Sequence, residues 1–188
     1  MKKTKRLLDI IIAGLTIIIS LPIMILVAIA IKLDSPGPIL YGTKCRFLIY
    51  RIGLNGKPFR YYKFRSMVHD EKRCESSEVT KVGRVLRRYH LDELPELFIV
   101  LSGHMSLVGP RPLTRTKARE YPASYRNFLV VRPGVTGASQ ISGARLFSPE
   151  ETTRTNLNYI KDWTIAKDLI ILLLTPLAII KQLQKFPH

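Results

Sequence analysis

The chain has 188 residues and carries 30 Lys and Arg against 14 Asp and Glu, a net charge of +16. That length suits one compact domain plus an anchor, and that charge excess narrows the partners to nucleic acid, anionic lipid headgroups or a phosphorylated substrate. The two cysteines, Cys45 and Cys74, make no metal motif and no disulfide framework, and His69, His90, His104 and His188 lack zinc-ligand spacing, so a reducing compartment is expected and zinc is not.

The first element is an almost unbroken apolar run from Asp9 to Ile31. It is long enough to span a bilayer, too long for a signal peptide, and no small-residue cleavage site closes it. Pro22 near its middle removes a helix hydrogen bond, and Ser20 can help re-satisfy the freed backbone. Lys2, Lys3, Lys5 and Arg6 precede the run, while Lys32, Lys44, Arg46 and Arg51 follow it. Positive charge marks the cytoplasmic side, and here both flanks are basic. Charge and proline together favour a helix that enters, bends at Pro22 and returns to the same side over a kinked single pass.

Asp34-Ser35-Pro36-Gly37-Pro38 reads as a turn leaving the membrane. Residues 46–52 and 57–64 are rich in β-branched and aromatic side chains around Asn55-Gly56, a β-hairpin pattern. Residues 70–80 are polar and read as a loop. A basic amphipathic helix is expected from Thr80 to Tyr89. A second helix is expected from Asp92 to Leu101, with Gly103 as its stop; Pro95 fits only a first turn and so places Asp92 and Glu93 at the N-terminal end. A third should start at Ser148-Pro149-Glu150-Glu151, which has capping-box spacing, and run to about Trp163. Leu169 to Ile180 is apolar but too short to span; Pro176 interrupts it, and Lys167, Lys181 and Lys185 flank it. A helix lying in the membrane interface fits best, with a buried core helix as the alternative. The expected fold is α+β and mainly helical. It divides into an anchor at 1–32, a catalytic domain at 33–168 and an interfacial helix with its tail at 169–188.

Asp92 and Glu93 are the candidate reactive pair. Carboxylates at a helix start are ordinary stabilising choices, but the same terminus attracts phosphate. Asp92 can serve there as nucleophile, as divalent-metal ligand or as both. A carboxylate meeting a phosphate needs cations around it, and Lys63, Arg65, Arg87, Arg88, Arg111, Arg132 and Arg145 are available. Arg111 and Arg132 stand out because prolines fix their backbones, in Pro110-Arg111-Pro112 and Arg132-Pro133-Gly134.

Six blocks in order carry a resemblance. They are Leu33-Asp34-Ser35-Pro36-Gly37-Pro38 after the Ser20/Pro22 helix, Tyr62-Lys63-Phe64-Arg65-Ser66-Met67, Leu91-Asp92-Glu93-Leu94-Pro95, Met105-Ser106-Leu107-Val108-Gly109-Pro110-Arg111-Pro112, Val131-Arg132-Pro133-Gly134-Val135-Thr136-Gly137, and the Tyr159 to Asp168-Leu169 region. Over nearly its whole length the chain resembles the bacterial sugar transferases, the small monotopic phosphoglycosyl transferases. The resemblance implies that Asp92 attacks the β-phosphate of a UDP-sugar and releases UMP. A polyprenyl phosphate, usually undecaprenyl phosphate, then takes the phosphosugar from the aspartyl intermediate. It also implies Mg²⁺ on Asp92, an assisting Glu93, and phosphate contacts from Arg111, Arg132, Arg145, Arg87 and Lys63, with Pro112 beside Arg111. A re-entrant anchor kinked at Ser20 and Pro22 is implied as well, at the cytoplasmic face of a bacterial inner membrane, with downstream glycosyltransferases as later partners.

Some positions depart from the family's usual pattern. His90 replaces a serine and is a poorer helix cap; Ala138 replaces a tryptophan; Ser142-Gly143-Ala144-Arg145 needs a one-residue adjustment to match. With no long membrane domain ahead of the apolar run, the expectation is the minimal form of the family. The sugar, the pathway and any homodimer are left open by the sequence. A membrane-tethered basic module that binds nucleic acid or phospholipid without catalysis is the alternative, although the basic residues form no groove-reading motif and no nucleic-acid partner is expected.

Overall fold

The computed structural model describes residues 3–41, 50–69, 78–142 and 148–185, with side chains to residue 181. Arg145, Lys44, Arg46, both cysteines and most of the polar stretch 70–80 lie outside the described residues. The described residues are mainly helical, with three two-stranded sheets among them.

Helix α1 runs unbroken from Lys3–Asp34 and is long and apolar enough to cross a membrane. Pro22 lies within it. The Ser20 hydroxyl donates to the Ile17 carbonyl at 3.4 Å. Proline strips the donor from the carbonyl four residues back, that of Ile18, so Ser20 does not replace the missing bond.

Both halves of α1 pack on the same body. In the first half, Ala13 joins the main core with Phe59, Leu97, Val100, Met105, Val108 and Ile171. The Arg6 guanidinium donates to the Val100 and Leu101 carbonyls at 2.6 and 2.8 Å. In the second half, Met24, Val27 and Ile31 meet Phe64 and Leu86. Arg65 closes the end of α1, donating to the carbonyls of Ile31 at 3.2 Å, Ser35 at 2.7 Å and Pro36. Asp34 then accepts from the Val82 N–H at 3.1 Å, at the start of the next long helix.

Strands β1 (Leu40–Tyr41) and β4 (Lys63–Phe64) pair antiparallel, as do β2 (Tyr50–Ile52) and β3 (Pro58–Arg60). The expected hairpin is present in part as β2–β3: its second strand stops at Arg60, Lys63–Phe64 pair with β1 instead, and residues 46–49 of the expected first strand lie outside the described residues. Asn55 and Gly56 both take positive φ in its turn, at 56° and 74°, which explains the residue choice there. Helix α2 (Lys81–Arg88) is capped by the Thr80 hydroxyl.

The second expected helix is split. Leu91–Glu93 form a 3₁₀ turn, and the α-helix α3 spans only Glu96–Leu101, with Pro95 as its cap. Proline cannot donate to the preceding turn, so the α pattern starts after it. His90 precedes the turn with φ 55° and gives no side-chain cap, in keeping with its reading as a poor one. Gly103, with φ 85°, ends α3 as expected.

Strands β5 (Ser106–Val108) and β6 (Gly134–Thr136) pair in parallel. Helices α4 (Arg115–Ala118) and α5 (Ala138–Ile141) are single turns. Helix α6 (Pro149–Lys161) carries the full Ser148–Glu151 capping box and stops two residues short of Trp163. Helix α7 (Ile165–Lys185) starts ahead of the apolar run and contains Pro176. It buries Ile171 in the main core and leaves Leu169, Ile170, Leu173, Leu177 and Ile180 exposed.

Candidate active site

The 3₁₀ turn at Leu91–Glu93 presents its two carboxylates to different partners. Asp92 is buried, and its Oδ2 lies 3.2 Å from Lys63 Nζ on β4. Glu93 Oε1 accepts from Arg111 Nη2 at 2.7 Å, and its other oxygen lies 3.5 Å from His90 Nδ1. Burial works to raise the Glu93 carboxyl, but Arg111 and His90 outweigh it and hold it below the usual carboxylate range. Glu93 in turn holds the Arg111 guanidinium firmly charged.

One turn on, Glu96 is buried and accepts a hydrogen bond from the Tyr61 hydroxyl. Burial first, and the neighbouring Glu93 charge second, push the Glu96 carboxyl up to about 8. Burial and then Glu96 also push the Tyr61 hydroxyl well up. The site therefore keeps one carboxyl strongly ionised and its neighbour protonated at neutral pH. A sequence signal for Tyr61 existed: it stands two residues from Lys63 in an extended stretch, the spacing that puts side chains on one face. Glu96 had the signal of lying three residues after Glu93.

Lys63, Glu93 and Arg111 line a cavity of about 930 Å³. Arg111 is aimed by the β5–β6 pair, where Gly109 and Gly134 pass so closely that a side-chain carbon on either would strike the other's backbone. Pro112 follows on the cavity wall. Asp92 does not itself line the cavity; it stands behind Lys63. The cavity also reaches Tyr121 and Phe128, Gln140 of α5 and Asn156 of α6. It also touches Thr16 of α1 and Thr175, Ala178 and Ile179 of α7.

The structure brings Lys63, Asp92, Glu93, Arg111 and Pro112 together. Two candidate arginines go elsewhere. Arg132 Nε donates to the Gly103 carbonyl at 2.6 Å, tying β6 to the end of α3. Arg87 Nε donates to the Ser66 hydroxyl at 2.8 Å, tying α2 to the segment after β4. Neither lines the cavity, and Arg145 lies outside the described residues. Their isolated sequence positions gave no sign of these carbonyl and hydroxyl partners.

A second polar cluster was missed. Lys5 Nζ and Asp168 Oδ2 lie 2.5 Å apart, both buried. Asp168 also accepts from the Tyr159 hydroxyl at 2.6 Å and Trp163 Nε1 at 3.0 Å. Nearby, Asp9 accepts from the Ser106 hydroxyl at 2.8 and 3.0 Å and from the Leu107 N–H at 3.0 Å. The available signal was a carboxylate at the edge of a lipid-length apolar run, which needs a partner wherever it sits.

Comparison with known proteins shows the family of the chain. The pattern of the bacterial sugar transferase family matches residues 1–182. The chain is 40% identical over 186 residues to a UDP-glucose:undecaprenyl-phosphate glucose-1-phosphate transferase of Klebsiella pneumoniae, covering 91% of this chain and 39% of that protein. It is 37% identical over 190 residues to a protein of the same name from Caulobacter vibrioides, covering 91% and 67%. It is 38% identical over 192 residues to a UDP-N-acetylgalactosamine-undecaprenyl-phosphate N-acetylgalactosaminephosphotransferase of Aeromonas hydrophila, covering 91% and 42%. The chain thus spans well under half of the Klebsiella and Aeromonas relatives. By its sequence match and these relatives, the chain belongs to the bacterial sugar transferase family.

Proposed function

We propose that this chain transfers a sugar 1-phosphate from a UDP-sugar to a polyprenyl phosphate, with release of UMP. The observation that carries this reading is the cavity itself. One continuous space joins cations and carboxylates (Lys63, Glu93, Arg111) to residues of the apolar helices α1 and α7. Such a space suits a reaction between a water-soluble diphosphate and a lipid-borne phosphate.

The chemistry follows from the side chains. Arg111, charged and oriented by Glu93, offers a fork of donors to phosphate oxygens. Lys63 leaves Asp92 for the incoming phosphate, which frees the Asp92 carboxylate. An Asp92 oxygen attacks the β-phosphorus, and the bond from that phosphorus to the oxygen bridging it to UMP breaks. UMP leaves with that oxygen. A polyprenyl phosphate oxygen then attacks the same phosphorus and displaces Asp92, giving a polyprenyl-diphospho-sugar. Protonated Glu96 adds no further negative charge beside the phosphates.

A Mg²⁺ ion fits this donor set. No group of three His, Cys, Asp or Glu side chains gathers among the described residues. Mg²⁺ needs only one or two carboxylates when substrate phosphates and water complete its octahedron, and Asp92 offers hard oxygens of the right kind. When bound, the ion neutralises phosphate charge.

The anchor is read as re-entrant. A straight 32-residue helix is about 48 Å long, against about 30 Å of hydrocarbon. A single span would carry Arg6 and Asp34 to opposite sides of the bilayer, yet both bind the same body. The exposed apolar face of α7 fits the membrane interface beside it. Both flanks being basic, the body lies on the cytoplasmic face.

The test is UMP release from a panel of UDP-sugars by detergent-solubilised protein with undecaprenyl phosphate and Mg²⁺, with Asp92→Asn in parallel. Release by the wild type with at least one sugar, lost in the variant and on chelation, is expected. A wild type silent across the panel, or a variant as active as the wild type, would sink the reading.

A further inference from the structure

Helix α7 changes neighbours along its inner face. Ile171 is buried in the main core. Thr175, Ala178 and Ile179 follow at the i+4, i+7 and i+8 positions and so share its face. The core takes in Ile171 and Leu172 but not Ala178 or Ile179, which are half-buried and line the cavity with Thr175. Thr16 of α1, one turn beyond the fully buried Ala13, lines the same cavity.

None of these four side chains is charged, and the two hydroxyls spend their protons at home. Thr16 Oγ1 donates to the Ile12 carbonyl at 2.8 Å, and Thr175 Oγ1 donates to the Ile171 carbonyl at 2.7 Å. Thr175 Oγ1 also lies 2.8 Å from Thr136 Oγ1 on β6. The Thr136 carbonyl in turn accepts from the Gly109 N–H at 2.9 Å, two residues before Arg111. One strand therefore ties this uncharged stretch of α7 to the loop that carries Arg111. The opposite face of α7 is apolar and exposed at Leu173, Leu177 and Ile180.

That stretch selects among the parts of the substrates. A UDP-sugar carries hydrogen-bonding groups along its whole length and loses by lying on a wall that offers no charge and no free hydroxyl proton. A prenyl chain has neither donors nor acceptors, and it removes apolar surface from water by lying there. Resting on the transferase reading above, we propose that Ala178 and Ile179 of α7, with Thr16 of α1, bind the first isoprene units of the acceptor while its phosphate lies at Lys63 and Arg111.

The experiment compares wild type with Ala178→Trp, which fills the space, with Ile179→Asn, which makes it polar, and with Leu177→Trp on the outer face. Four readouts are taken in detergent: kcat/KM for undecaprenyl phosphate, kcat/KM for the UDP-sugar, inhibition by UMP, and thermal midpoint. In both inner-face variants kcat/KM for undecaprenyl phosphate should fall roughly tenfold to a hundredfold, the worth of a methylene or two in an apolar pocket. Their UDP-sugar kcat/KM and UMP inhibition should hold, and Leu177→Trp should match the wild type throughout. Undecaprenyl phosphate kinetics unchanged in both inner-face variants would overturn the assignment alone and leave the transferase reading standing. An equal fall for UDP-sugar would place these residues at the donor, an equal effect of Leu177→Trp would trace the loss to the outer face, and a lowered midpoint in both inner-face variants would make the stretch structural; each overturns it too. Silence of the wild type across the UDP-sugar panel would overturn the transferase reading, and this assignment with it.

Discussion

Two clusters in this molecule are built from the same chemical parts and do opposite things. At Lys5 and Asp168 a lysine meets an aspartate at 2.5 Å, with side chains 6% and 11% exposed. At Lys63 and Asp92 a lysine meets an aspartate at 3.2 Å, with side chains 23% and 5% exposed. The first pair is closed in by Tyr159 and Trp163, which also bond Asp168. Lys63 of the second borders a cavity of about 930 Å³, and among the described residues Asp92 has no such second side-chain donor. A sealed, fully bonded pair fastens α1 to α7. On the proposed transferase reading, the looser pair at a cavity edge leaves a carboxylate that an incoming phosphate would free by drawing its lysine away. Residue type alone does not separate scaffold from chemistry here; the remaining bonding capacity does.

Breaking the sealed pair should have the largest effect on the fold. Lys5→Met leaves Asp168 buried without its cation and should cost about 3–5 kcal/mol, read as a large drop in thermal midpoint in detergent. Adding Asp168→Leu should recover part of that loss, since two apolar groups remove the stranded charge. Breaking the open site should spare the fold and cost activity. Arg111→Lys keeps the charge but loses the planar fork, and kcat/KM for the UDP-sugar should fall roughly tenfold to a hundredfold at an unchanged midpoint.

The smallest effect sharpens the comparison through pH. Glu96 titrates in the fold near 8, against about 4.5 in the unfolded chain. Between those values the folded state holds a proton that the unfolded state has lost. Its stabilisation is complete below about 4.5 and is lost as pH rises through 8. The wild-type midpoint should therefore decline from pH 5 to 9. Glu96→Gln should flatten that decline, which a pH series of melting curves reads directly. Glu93 works the other way: its lowered pKa stabilises the fold above the ordinary carboxylate range, and that contribution is lost as pH falls through it.

Local signals in the sequence located most elements. Asn55-Gly56 marked the β2–β3 turn, Ser148 and Glu151 marked the start of α6, and Gly103 marked the end of α3. Each acts through its own backbone or a neighbour within a few residues, so a linear reading finds it. Pro95 is compatible with the first turn of one helix, but its missing donor instead splits that helix into a 3₁₀ turn and α3. The site was half legible. Asp92, Glu93 and Arg111 were picked out, yet the pairing of Asp92 with Lys63 spans 29 positions and depends on how β4 packs. The same distance effect hid the carbonyl that occupies Arg132 and the whole Lys5–Asp168 cluster, whose members lie 163 positions apart.

On the proposed reading Asp92, once released by Lys63, is the nucleophile that takes the phosphosugar. The most direct test incubates the protein with its UDP-sugar and Mg²⁺ but no polyprenyl phosphate, then quenches and weighs it by mass spectrometry. The account predicts a mass gain of one sugar phosphate, mapped to the peptide holding Asp92, absent from Asp92→Asn, and removed when undecaprenyl phosphate is added. Steady UMP release on adding that lipid, with no adduct on Asp92 at any time, would contradict it.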